Sequence, residues 1–282
     1  TAISLGLSGT NLVDGNGAEA KFIGNKIDVV VSGEAPTLTV KATDNAATMT
    51  VQSLDIQSGK LIVQGANSSA DKAAKVEADT ITLGAGVTAT VSGEGTSTLG
   101  KTGGTIILNE GATITLGQSG ALAGKTLTSN GGKIVAGVDF TYGFDADYHQ
   151  GEAAKASKLS IDVAEGTTTK IALAGKTTNL RGYKHFADGS VIDLKAGTAT
   201  GGILAIDHSG SSGTVLVMDP NVTLKSSKGD SGVNGGIITV KGADDAGDVK
   251  TSELRLAGTT LAGFMAPADE GQVAGRILLD KQ

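Results

Sequence analysis

The stretches "TITLGAGVTATVSGEG" (80–95) and "TIILNEGATITLGQSG" (105–120) decide how this chain is read. Laid over one another at an offset of 25 positions, they match at Thr80, Ile81, Leu83, Gly86, Thr88, Thr90 and Gly95. Each is a short strand with apolar residues at i and i+2, a tight turn containing Gly, and a second alternating strand. The pattern recurs with less identity at 54–63 (LDIQSGKLIV), 161–173 (IDVAEGTTTKIAL) and 192–197 (IDLKAG), and a poorer copy lies at 127–137 (LTSNGGKIVAG). At 216–224 (LVMDPNVTL), Asn221 stands where the other copies have Gly. That replacement is expected if the position needs a left-handed backbone.

Periods of 20–50 residues mark solenoids or propellers. A unit of this kind cannot bury its apolar face alone, but stacking one coil on the next makes a continuous core and pairs every strand above and below. Propeller blades carry Trp and Tyr signatures, and this chain has no Trp. The fold expected is therefore all-β, a parallel β-helix (β-solenoid) with degenerate repeats of about 25 residues and inserted loops. It reads as a single elongated solenoid over 1–282, with candidate inserted loops at 138–160 and 180–190.

Composition points the same way. Gly numbers 43 and Pro 3, charged residues are 18% and aromatics 3%, so the core must be filled by small aliphatics. An unfolded chain would carry more charge and less Val, Ile and Leu. Cysteine is absent, which excludes disulfides and thiolate metal sites. A net charge of −6 without clustered Lys or Arg argues against a nucleic-acid partner. No run of 18 apolar residues exists to span a bilayer as a helix, so the chain is not expected to be membrane-embedded. The first residue is Thr1 rather than Met, which fits a chain whose targeting segment has been removed.

Two helix-prone segments, 68–79 (SSADKAAKVEAD) and 152–158 (EAAKASK), read as single helical turns at coil corners. The opening "TAISLGL" sets Ile3, Leu5 and Leu7 on one side of a strand. That strand either belongs to the first coil, as its cap or paired within it, or is donated to a neighbouring subunit as an assembly strand.

The run "GGTIILNEGATITLGQSGALAGKTLTSNGGKIVAG" (103–137), with "GKLIVQG" (59–65), resembles the degenerate repeats of bacterial autotransporter passenger domains and related β-solenoid adhesins. The resemblance implies a right-handed parallel β-helix displayed on the bacterial cell surface or released outside it, adhesive or self-associating. The chain departs from the complete family protein at "GRILLDKQ" (275–282), which lacks the alternating strands and terminal aromatic residue of an outer-membrane barrel.

Catalytic constellations are sparse. "GDSGV" (229–233) matches the nucleophile setting of chymotrypsin-like proteases, but His149, His185 and His208 lie in none of that family's settings, and a polar turn is the simpler reading. Asp139, Asp145 and Asp147, and Asp244, Asp245 and Asp248, are candidate acids for a polysaccharide-cleaving β-helix; solvated acidic loops are the far commoner reading of such residues. Asp145 and Asp147 have the i, i+2 spacing of calcium loops without the Gly turn and distal Glu. Six of the eight aromatics, Phe140, Tyr142, Phe144, Tyr148, Tyr183 and Phe186, fall within 140–186. They either pack on one another where loops leave the solenoid or form a contact patch for a glycan or partner chain, assisted by His149, Arg181, Lys184 and His185.

The expectation is a non-enzymatic extracellular surface or matrix protein acting in adhesion, self-association or biofilm formation, with no cofactor or metal, whose partners are copies of itself or surface glycans. The alternatives are a subunit of a polymerising extracellular filament, joined head to tail or by strand donation, and a β-helical polysaccharide-cleaving enzyme.

Overall fold

A computed structural model describes residues 3–67, 71–122, 125–144, 158–173, 185–186, 189–206, 215–218, 221–227, 232–241, 243–245, 248–250, 253–256, 258–264 and 276–280. Among them every regular element is a strand and no helix occurs. The chain divides into two compact units, Thr1–Ile134 and Val135–Gln282.

The first unit contains β1 (Ile3–Leu7), β2 (Thr10–Asp14), β3 (Ala20–Val31), β4 (Thr37–Lys41), β5 (Ala47–Ile56) and β6 (Lys60–Gln64). It continues with β7 (Ala74–Leu83), β8 (Thr88–Ser92), β9 (Thr98–Leu99), β10 (Thr105–Leu108), β11 (Thr113–Leu116) and most of β12 (Thr126–Ala136). Its pairings of described register are parallel, and they build a β-solenoid of about six turns. One face stacks β1, the ends of β3, β5 and β7, then β10 and the start of β12. A second face stacks β2, β4, β6, β8 and β11. The first halves of β3, β5 and β7, with β9, make a third.

The sequence match becomes a register match: Thr80, Ile81 and Leu83 lie beside Thr105, Ile106 and Leu108, and Thr88 and Thr90 beside Thr113 and Thr115. Identical residues stack because a column pointing inward must be apolar in every coil and a column pointing outward need not be. Val29, Leu54, Ile81, Ile106 and Leu127 form one such inward column and are all buried. The weaker copy at 127–137 is a true turn of the coil, with Leu127 registered on Ile106 and Ile134 buried. The third face is lined by smaller residues, Ala47 and Ala74 in one column and Met49 and Val76 in the next.

One local expectation is overturned. The segment 68–79 reads as helical from its Ala, Lys and Glu, yet β7 begins at Ala74, and Ala74, Val76 and Ala78 point inward. The alternation of small apolar residues against the preceding coil outweighs helix propensity. Most of the companion segment, 152–158, lies outside the described residues.

The second unit contains β13 (Phe140–Phe144), β14 (Lys158–Val163), β15 (Thr168–Leu173), β16 (His185–Phe186), β17 (Val191–Leu194), β18 (Ile203–Ile206) and β19 (Val215–Met218). β20 (Thr223–Lys225), β21 (Ile237–Lys241), β22 (Ala243–Asp245), β23 (Asp248–Lys250), β24 (Glu253–Leu256), β25 (Thr260–Ala262) and β26 (Arg276–Asp280) complete it. Three parallel stacks recur, β14-β17-β20-β25, β13-β15-β18-β21-β26 and β16-β19-β24, so that successive coils again visit three faces in turn. The antiparallel pair β22–β23 is a hairpin inserted between β21 and β24.

Coils here are longer than in the first unit. Inter-coil bonds span 25 residues at Ser53–Asp28 and Ser58–Gly33, but 31 at Leu159–Ser190 and 34 at Ser227–Asp193. The sequence pattern marks a corner rather than a whole coil. In the first unit it joins the first face to the second, whereas in the second it joins β14 to β15 and β17 to β18, and at 216–224 joins β19 to β20.

Candidate functional site

Two features of the first unit stand out once the columns are drawn. On the second face the outward residues of β4, β8 and β11 are Thr-x-Thr: Thr37 and Thr39, Thr88 and Thr90, Thr113 and Thr115. The register places Thr37, Lys60, Thr88 and Thr113 in one column and Thr39, Ile62, Thr90 and Thr115 in its neighbour. Columns of this kind repeat about every 4.8 Å across the strands, and the two run about 6.6 Å apart along them. The inward residues between them, Leu38, Ala89 and Ile114, are buried and hold the hydroxyl-bearing face rigid.

The second feature is the edge of the first coil. β1, β2 and residues 20–24 each pair with a following strand on one side and end the described sheet on the other. In this coil the large apolar residues Ile3, Leu12 and Ile23 are 64%, 60% and 62% exposed. Leu12 and Ile23 are outward residues, in register with Thr39 and Thr50 of the next coil. The next coil thus puts hydroxyls, Thr39 and Thr50, where the first coil puts aliphatic side chains. A cleft of about 320 Å³ opens at the same place, lined by Leu7, Val13, Phe22, Leu38 and Met49 among others. The Asn11 side chain donates to the carbonyls of Ser8, Gly9 and Thr37, fixing the corner between β1 and β2.

The residues singled out from sequence are distributed as follows. Ile3, Leu5 and Leu7 lie on β1, beside Ile27, Val29 and Val31 of the next coil, so this strand forms the first face of the first coil. Phe140 is buried at the start of β13, opposite Thr169, with Tyr142 and Phe144 opposite Ile171 and Leu173. Phe186 pairs with Met218 on another stack, and Tyr148 and Tyr183 lie outside the described residues. His185 is on β16, while His149, Arg181, Lys184 and His208 also lie outside them. Of the acids, Asp139 accepts the Thr168 backbone N–H at 2.6 Å, a structural use, and Asp244, Asp245 and Asp248 belong to the inserted hairpin. Asp145, Asp147 and Ser231 are outside the described residues. No group of three His, Cys, Asp or Glu suited to a metal occurs among the described residues.

Two ionisable groups are perturbed. Burial would raise the Asp193 carboxyl, but hydrogen bonds from Lys195 and Ser227, and the Lys195 charge at 2.6 Å, hold it below its ordinary value. Desolvation pushes the buried Lys125 ammonium down, opposed by the charge of Glu77, while its Nζ donates to the Ala121 carbonyl at 3.2 Å. Lys125 lies at a coil corner, and Asp193 lies near the end of β17.

Leu12 and Ile23 were not visible as candidates in the sequence. Each looks like an ordinary strand residue until the register sets it beside a threonine of the next coil, Thr39 or Thr50. Compared with known protein families, curated proteins and solved structures, the chain matches none.

Proposed function

We propose that the protein is a non-enzymatic, passenger-like β-solenoid of the bacterial exterior, a surface or matrix protein acting in adhesion, self-association or biofilm formation. The observation that carries this reading is the pair of Thr-rich columns on the second face, interrupted by Lys60 and Ile62 and backed by the buried Leu38, Ala89 and Ile114. A regular, flat array of hydroxyls and methyls has no depth for a small molecule, but it matches repetitive partners such as a glycan chain or the same face of another copy. Each contact is weak, and many together give avidity.

Microspheres coated with the chain test this by their clumping and by their retention on insoluble polysaccharide. Thr90→Val combined with Thr115→Val keeps shape and strand propensity while deleting two hydroxyls. The expected result is a loss of clumping or retention of about tenfold with unchanged thermal unfolding. Undiminished binding by the double variant would remove the hydroxyl columns from the function.

A further inference from the structure

The edge of the first coil has a shape and charge pattern that suit one occupant, a second copy of itself. Edge strands are ordinarily protected by charge, proline or bulges, because unpaired N–H and C=O groups recruit other strands. β1, Ile-Ser-Leu-Gly-Leu, carries none of these devices. The whole edge, β1, β2 and residues 20–24, carries two charges, Asp14 and Lys21, and they are opposite in sign.

We propose that two copies join end to end through their first coils about a two-fold axis crossing β1. The operation lays β1 antiparallel on β1 of the partner, with Leu5 at the axis. It exchanges the two flanking faces, so that β2 comes to lie antiparallel over residues 20–24 of the partner. Keeping inward residues over inward residues leaves registers two residues apart, and the opposite charges select one: Asp14 faces Lys21 of the partner subunit, Leu12 faces Ile23 of the partner subunit, and Val13 covers Phe22 of the partner subunit. Each contact occurs twice, as an isologous interface requires.

The match accounts for the anomalies together. Leu12 and Ile23, exposed in the free coil, bury each other, and Val13 with Phe22 closes over the 320 Å³ cleft. β1 meets only itself and has no like charges to oppose. Within one copy Asp14 accepts a hydrogen bond from Thr43 at 2.6 Å, and Lys21 meets Glu19 at 3.1 Å with both side chains half exposed. These contacts leave the two groups at the rim, where a charge pair directs orientation more than it adds affinity. The Asn11 bonds hold the β1–β2 corner in place beforehand, which lowers the ordering cost of association.

The test uses the whole chain. Sedimentation velocity should give twice the 27.9 kDa of one chain at micromolar concentration. Leu12→Lys, at an outward position, should weaken the dimer by at least about tenfold without shifting thermal unfolding at concentrations where both chains are monomeric. The chain has no Cys, so disulfide trapping has a clean background. Residues directly opposite across an antiparallel pair lie about 4.5–5.5 Å apart at Cα, within disulfide reach. A mixture of Leu12→Cys and Ile23→Cys chains should therefore oxidise to a covalent heterodimer, while neither variant alone does so. A monomer at all concentrations, or head-to-tail filaments without the 12–23 cross-link, would overturn the proposal. The dimer is independent of the hydroxyl columns, because Thr90→Val with Thr115→Val leaves this edge untouched.

Discussion

Asn221 adopts, at φ 62°, the left-handed conformation that Gly86 adopts at 72° in a turn of the same sequence pattern. Asn is the residue that tolerates this region best after Gly. Gly86 has open space where a Cβ would stand, so Gly86→Ala should cost only the conformational term, about 1–2 kcal/mol. At Gly59, φ 80°, a Cβ would also run into the Pro36 carbonyl oxygen, and Gly59→Ala should cost distinctly more. Asn221→Gly should change stability by no more than a few tenths of a kcal/mol. Urea midpoints of the three variants check the order. Equal losses at Gly59 and Gly86 would show that Pro36 yields freely.

The same comparison shows what could be read without coordinates. Turns needing a left-handed residue announce themselves, since few side chains are allowed there, and the identical pairs Thr80–Thr105 and Ile81–Ile106 revealed the register itself. Segment 74–79 misled because its Ala, Lys and Glu suit a helix, and only the column of Ala47 and Ala74 on the third face explains them. Leu12 and Ile23 were hidden for a related reason. Their exposure is abnormal only relative to Thr39 and Thr50 in the next coil, and that comparison needs the pairing.

Ile106 and Ile107 are neighbours in sequence and opposites in role. Ile106 is buried in the inward column with Ile81 and Leu127, whereas Ile107 is half-buried in an outward column between Thr82 and Thr128. Ile106→Ala should therefore destabilise by about 2–5 kcal/mol, the range for a core truncation that leaves a cavity. Ile107→Thr should stay within about 0.5 kcal/mol, because the column already accepts Thr on both sides. A large loss at Ile107, measured by chemical denaturation, would mean that this face is covered.

Asp193 gives the second unit an acid-sensitive point. Its carboxyl is held below its ordinary value in the folded chain, so it binds fewer protons there than when unfolded. The stability it contributes is complete above the unfolded value of about 3.9 and is lost as pH falls through the lower folded value. Asp193→Asn should lower the urea midpoint at pH 7 and remove part of the acid dependence, so that the two curves converge toward pH 2. Parallel curves would show that Lys195 and Ser227 contribute no charge-specific stabilisation.

Lys125 shifts in the same direction at the basic end, where the shift costs stability at pH 7 instead of adding it. It is 8% exposed, and burial lowers its folded pKa below the unfolded value of about 10.4. Between the two values the unfolded chain binds the extra proton, so stability rises with pH across that window and is complete only above it. Lys125→Met retains the volume and removes the charge. Its unfolding midpoint should exceed that of the parent at pH 7, and the difference should shrink as pH rises toward 10. The opposing contribution is the bond to the Ala121 carbonyl, which also accepts the Leu99 N–H at 3.3 Å and so keeps a partner when the ammonium is gone. A variant less stable than the parent at pH 7 would show that this bond and the attraction of Glu77 together exceed the cost of burying the amine.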